Sequence, residues 1–179
     1  MKLYDLTELS PREAMDIYPG PDIPVRGGWG YSAEDACIID KNDPIIDPDD
    51  PMPFYGVGFE KIFVERRIYM ELITFRPEAE RHSGIQWNML SQSLMRHEGK
   101  PHDHLEYQVT AHEDKDWLAL KEEFEGPEGI SHPDFDQEEH FQKRQASMKT
   151  FRMEFWFEIS SFYGQLPGLM GLSQPPVPS

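Results

Sequence analysis

His102 and His104 stand two residues apart, with Glu106 next in the same row. On a strand, the two-residue side-chain period puts all three on one face, which makes them three potential ligands for a metal such as zinc. Leu105, Tyr107, Val109 and Ala111, at the alternate positions from 105 onward, are apolar or small and supply a buried face. The polar row therefore also fits the wet side of a half-buried strand. Asp40, Asn42, Asp43, Asp47, Asp49 and Asp50 offer the hard oxygen ligands that calcium prefers, but prolines interrupt the segment and no glycine holds the turn position of an EF-hand.

Cys37 lies inside the apolar run Ala36-Cys37-Ile38-Ile39, where a thiol behaves as a small hydrophobe rather than a nucleophile. Gly27-Gly28-Trp29-Gly30 lacks both the Gly-Lys-Ser/Thr ending of a phosphate loop and the spacing of a dinucleotide fold, so a turn is expected. Glu138-Glu139-His140 has no His-Glu-x-x-His around it and reads as a charged helix surface. No catalytic motif emerges, and no cofactor or metal is expected. Trp29 and Trp156 are candidate interface anchors, Trp156 because it sits between Glu154 and Glu158.

Charge is the strongest signal. The 179 residues carry 33 acidic and 17 basic side chains, a net of −16. Affinity for nucleic acid comes largely from Lys and Arg displacing counterions, and anionic lipid surfaces also attract basic segments, so both are disfavoured partners. A basic protein is the expected one. Acids concentrate in residues 101–140, with 13 acids against 2 bases, and in the loop from Asp40 to Asp50. The expected contact residues are Asp47, Asp49, Asp50, Glu122, Glu123 and Glu125, with Trp29 and Trp156. With 12% aromatic and 38% hydrophobic residues, the chain has material for a core and is no disordered polyanion.

The elements that must position these residues follow from pattern. Ser10-Pro11-Arg12-Glu13 reads as a capped helix start, ended within about two turns near Tyr18-Pro19. Residues 36–39 fit a short buried strand, and 43–53 a proline-broken acidic loop. Residues 59–76 suit helix and strand alike, and their aromatic and β-branched content favours strand. Two alternating segments around His97-Glu98-Gly99-Lys100 predict a β-hairpin. Asp114 opens a helix with Trp117, Leu120 and Phe124 as its stripe, stopped by Gly126-Pro127, and Asp134 is the expected cap of a second, polar helix reaching about residue 149. Phe151, Met153, Phe155, Phe157 and Ile159 alternate with polar residues and Trp156, as in a core strand.

The expectation is one α+β domain over residues 1–164, a mainly antiparallel sheet with two to three helices on one face, followed by a Pro/Gly-rich tail over 165–179. A lone cysteine and an opening MKLYDLTELS without an apolar run predict a cytoplasmic chain. The leading functional expectation is an acidic domain that blocks a basic partner, as an immunity-type inhibitor blocks a bacterial toxin. The alternatives are a metal-dependent enzyme using His102, His104 and Glu106, and a structural or assembly subunit.

Overall fold

Seven side chains spaced three and one apart in turn, Glu60, Phe63, Val64, Arg67, Ile68, Glu71 and Leu72, are each at most 1% exposed. That spacing is one stripe of a helix. In the computed structural model, which describes residues 9–17 and 19–164, helix α2 spans Gly56–Tyr69. A π-helical turn over Met70–Thr74 continues it, with the Phe75 N–H donating to the Met70 carbonyl at 3.2 Å. The strand expected over 59–76 is thus corrected to helix. Three of the seven stripe positions carry charge, so the apolar residues alone left the period ambiguous.

Five strands form one sheet: β1 Val25–Gly27, β2 Cys37–Ile39, β3 His82–His97, β4 Lys100–Glu113 and β5 Lys149–Glu158. Their order is β1-β2-β5-β4-β3, antiparallel except for the parallel pair β2–β5. With α1 Pro11–Ile17, α3 Asp114–Glu125 and α4 Gln137–Ser147, the described residues hold four α-helices, and the class is α+β as expected. The β3–β4 hairpin turns on Glu98 and Gly99, whose φ angles of 49° and 80° suit the twist of a two-residue turn.

The core lies between α2 and one face of the sheet. Leu105, Tyr107, Val109 and Ala111 of β4 and Met153, Phe155 and Phe157 of β5 fill it, joined by Cys37 and Ile39. The alternation read along 151–159 holds, with Phe151 only half-buried at the strand's start. β3 is an edge strand with bulges near Gly84 and Leu90, and it leaves Met89, Leu90, Leu94 and Met95 exposed. Apolar alternation alone does not tell an edge strand from a central one.

The cap at Ser10 forms as expected: Ser10 N and Oγ both donate to Glu13 Oε2, at 2.9 and 2.6 Å, and Glu13 N donates to Ser10 Oγ at 3.3 Å. The cap of α4 is Asp136, two residues beyond the expected Asp134, and its carboxylate accepts the Glu139 N–H at 2.9 Å. Helices α3 and α4 attach through His112, a β4 position that points away from α2. Its ring lies 5.3 Å from Trp117, and its Nδ1 is 2.9 Å from Ser147 Oγ. Residues 165–179, expected as a tail, lie outside the described residues. No helix among the described residues is long and apolar enough to cross a membrane.

Candidate functional site

The row His102, His104 and Glu106 does share one face of β4, but its members are engaged separately. His102 is buried, with Nδ1 3.1 Å from the Lys100 carbonyl and its ring edge-on to His97. His104 stacks on Trp156 with ring centroids 4.1 Å apart, and its Nε2 lies 3.5 Å from Glu154. Glu106 accepts two hydrogen bonds from Arg152, at 2.7 and 2.8 Å, and one from Ser91. These donors hold its carboxyl below the usual range. Among the described residues no three His, Cys, Asp or Glu side chains converge to hold a metal ion. The row is also drier than a solvent-facing row, because the Trp156 and His97 rings cover its two histidines.

The two acidic triads differ. Asp47, Asp49 and Asp50 are exposed in a loop folded by its own side chains: Asp47 Oδ1 accepts the Asp49 N–H at 2.9 Å, and Asp50 Oδ1 accepts the Met52 N–H at 2.8 Å. None of the three forms an ion pair among the described residues. On α3, Glu123 pairs with Lys143 at 2.9 Å and faces His140 at 3.7 Å, and Glu125 is 3.8 Å from Lys121. Lys143 also bridges to Glu139 at 2.8 Å. Two of the three α3 carboxylates, Glu123 and Glu125, are therefore compensated locally, and none of the three in the loop is.

Trp29 lies in the core at 3% exposure, its Nε1 donating to the Leu9 carbonyl at 2.9 Å. It has no surface to offer a partner. The glycine stretch around it is a structural turn: Gly30, with φ at 74°, presses so close to β5 that an added Cβ would sit 2.9 Å from the Trp156 carbonyl oxygen. Trp156 is half-buried beneath His104. Cys37 is fully buried, and burial pushes its thiol well up, away from the reactive thiolate.

The sequence did not single out the buried charges of α2. Arg67 donates from Nε to Glu71 Oε1 at 2.8 Å and from Nη1 to the carbonyls of Trp29 and Gly30 at 3.0 and 3.2 Å. Its guanidinium sits between the rings of Tyr31 and Phe155, 4.0 and 4.3 Å from their centroids. Tyr31 completes the cluster by donating to Glu71 Oε1 at 2.9 Å. Burial first, and the Glu71 charge second, push its phenol up.

Glu60, on the same stripe, has no such support. It is 1% exposed, and its Oε1 has no hydrogen-bond partner. Burial, followed by the charge of Asp103, raises its carboxyl to about 8. Asp103 is 8% exposed and is itself raised by burial, against one hydrogen bond from Gln92 at 2.8 Å. Both line a cavity of about 170 Å³ with Phe54, Tyr55, Gly56, Val57, Ile159, Phe162, Tyr163 and Gly164. Tyr55, Val57 and Tyr163 are exposed and form its rim, while Glu60, Asp103, Gly56 and Ile159 are buried and form its floor. Phe54 and Tyr55 also wall a second cleft of about 260 Å³, which Asp47 and Asp50 help to line. The acidic loop and the acidic cavity thus share an aromatic partition. A signal did exist: Glu60 falls at helical spacing with Phe63, Val64, Arg67 and Ile68, which marks it as buried once the segment is read as helix.

Comparison with protein-family models, with curated proteins and with solved structures gave no match.

Proposed function

We propose that this chain is an acidic protein-binding domain that occupies a basic partner, in the manner of an immunity-type inhibitor of a bacterial toxin, and that the Asp47–Asp50 loop with the Phe54-Tyr55 wall is its principal contact. One observation carries the reading: an exposed carboxylate cluster, without ion pairs among the described residues, lines one aromatic-walled cleft and is separated from a second only by the shared Phe54-Tyr55 wall. Unpaired surface carboxylates steer a basic surface into encounter, and aromatic side chains supply contact area at low entropic cost. The α3 triad is secondary, because Lys143 and Lys121 already occupy part of it.

The test begins with recovery of a stoichiometric partner on the tagged chain. Association rates then follow at two salt concentrations. Neutralising Asp47, Asp49 and Asp50 to Asn should slow association and flatten its salt dependence, and neutralising Glu122, Glu123 and Glu125 to Gln should do so less. Unchanged rates in both variants would overturn the proposal.

A second reading, an assembly subunit, draws on the edge strand β3, whose exposed Met89, Leu90, Leu94 and Met95 lie beside an unpaired backbone edge. Concentration-dependent mass in solution, lost on Leu94→Lys, would favour it. The metal-enzyme alternative gains no support from the separately engaged His102, His104 and Glu106.

A further inference from the structure

We propose that the cavity floored by Glu60 and Asp103 receives the alkylammonium end of a lysine side chain, with the rings of Phe54, Tyr55, Phe162 and Tyr163 around its methylenes. This deepens the basic-partner reading and rests on it for the source of the lysine.

Size comes first. At about 170 Å³ the cavity falls below the roughly 300 to 1,000 Å³ of pockets that hold cofactor-sized ligands, so it admits one side chain and not a nucleotide. Chemistry comes next. Glu60 Oε1 is a buried acceptor without a donor, a costly arrangement that an entering N–H group would relieve. Asp103 has Gln92 as its side-chain donor and offers a second acceptor from β4, opposite the helix that carries Glu60. A lysine ammonium brings three donors on a compact head, which suits two carboxylates from different elements better than the flat fork of arginine.

The walls agree with this occupant. Phe54 and Phe162 lie 5.4 Å apart, and aromatic rings attract an ammonium group as well as its apolar stem. Gly56 makes the wall possible, because an added Cβ there would fall 2.3 Å from the Phe162 ring. A calcium ion seeks six to eight oxygens, and two carboxylates among aromatic rings do not supply them.

The floor also gives binding a pH signature. Asp103 and Tyr107 from β4, Cys37 from β2 and Lys61 on α2 surround Glu60 electrostatically. Glu60 holds its proton up to about pH 8, and an ammonium entering below that pH must displace it. Affinity therefore rises with pH, approaching tenfold per unit, and levels above about 8, until the amine itself deprotonates near 10.4.

The experiment is calorimetric titration of the full chain with n-butylammonium, Nα-acetyl-lysine methylamide, the arginine analogue, 1-butanol and calcium. Both amines should bind, butanol should not, Glu60→Gln should weaken the amines at least tenfold at pH 8, and the pH slope should vanish in that variant. Because the wild-type ligand series stands alone, a variant that misfolds does not remove the test. Failure of both amines to bind, equal binding by Glu60→Gln, or preference for arginine or calcium would each overturn the proposal. Binding of butylammonium without the lysine analogue would also overturn it, in favour of a free small amine. No partner protein is used, so failure here, with loop neutralisation still slowing the partner, sinks the cavity assignment alone. The reverse pattern sinks the surface reading alone.

Discussion

Glu60 and Glu71 stand three turns apart on the buried stripe of one helix, and their settings are opposite. Glu71 accepts from Arg67 and from Tyr31, and the same arginine ties the Trp29-Gly30 backbone to the helix. Glu60 faces an aspartate across a small cavity with one oxygen unpartnered. Their exposure is almost the same, 1% and 0%. Burial alone does not separate an acid that is paired with a cation from one that has an unpartnered oxygen. The partner does, because a buried charge with a matched cation is part of the core, whereas one without must stay protonated or find a cation elsewhere.

The sharpest way to break this contrast is Arg67→Ala. It leaves Glu71 buried without its cation and frees two loop carbonyls, and should cost roughly 3 to 5 kcal/mol in urea unfolding. A loss under about 1 kcal/mol would show that Glu71 is no more dependent on its partner than Glu60.

Next is Glu60→Gln. A carboxyl held near 8 in the folded state and near 4.5 when unfolded makes the folded chain bind its proton more tightly, so stability falls as pH rises through that window and then levels. Gln does not titrate. The variant should therefore gain on wild type by an amount on the order of 3 kcal/mol between pH 5 and pH 8, at about 1.4 kcal/mol per pH unit discounted for relaxation. A gap that stays constant over this range would place Glu60 in ordinary solvent.

Tyr31→Phe removes one hydrogen bond to a carboxylate and leaves the ring under Arg67, so a loss of about 1 to 2 kcal/mol is expected from the same unfolding measurement. A smaller effect than at a surface tyrosine would mean that the Tyr31 hydroxyl adds little to the support of Glu71. The weakest effect belongs to the loop: Asp47→Asn, Asp49→Asn and Asp50→Asn together should move stability by less than about 0.5 kcal/mol. A larger loss would show these acids to be structural rather than available to a partner.

How much of this was legible in the sequence depended on whether burial and hydrophobicity coincide. In β5 they do, and Met153, Phe155 and Phe157 announced their facing by alternation alone. The turn at Glu98-Gly99 and the cap at Ser10 were equally readable, since their chemistry is local. In α2 and its π-helical continuation the two part company. Glu60, Arg67 and Glu71 occupy core positions, so a reading that counts only apolar residues lost the helical period and, with it, both charged clusters. Trp29, a candidate interface anchor from its sequence setting, lies in the core, and the glycines around it serve to bring it inside. The cavity needed tertiary structure, because Asp103 and Glu60 meet only when β4 lies against α2.

The parallel pairing of β2 with β5 sets a timetable. Cys37 hydrogen-bonds beside Phe157, near the far end of the described chain, whereas the β3–β4 hairpin closes on neighbours. As the chain leaves the ribosome, β1 and β2 emerge early as three-residue strands with only each other to pair with in the sheet. At roughly 5 to 20 residues per second, they wait on the order of ten seconds before β5 exists to receive them. The first strands made can therefore join the β3–β4 hairpin in one sheet only after the last strand has been made between them.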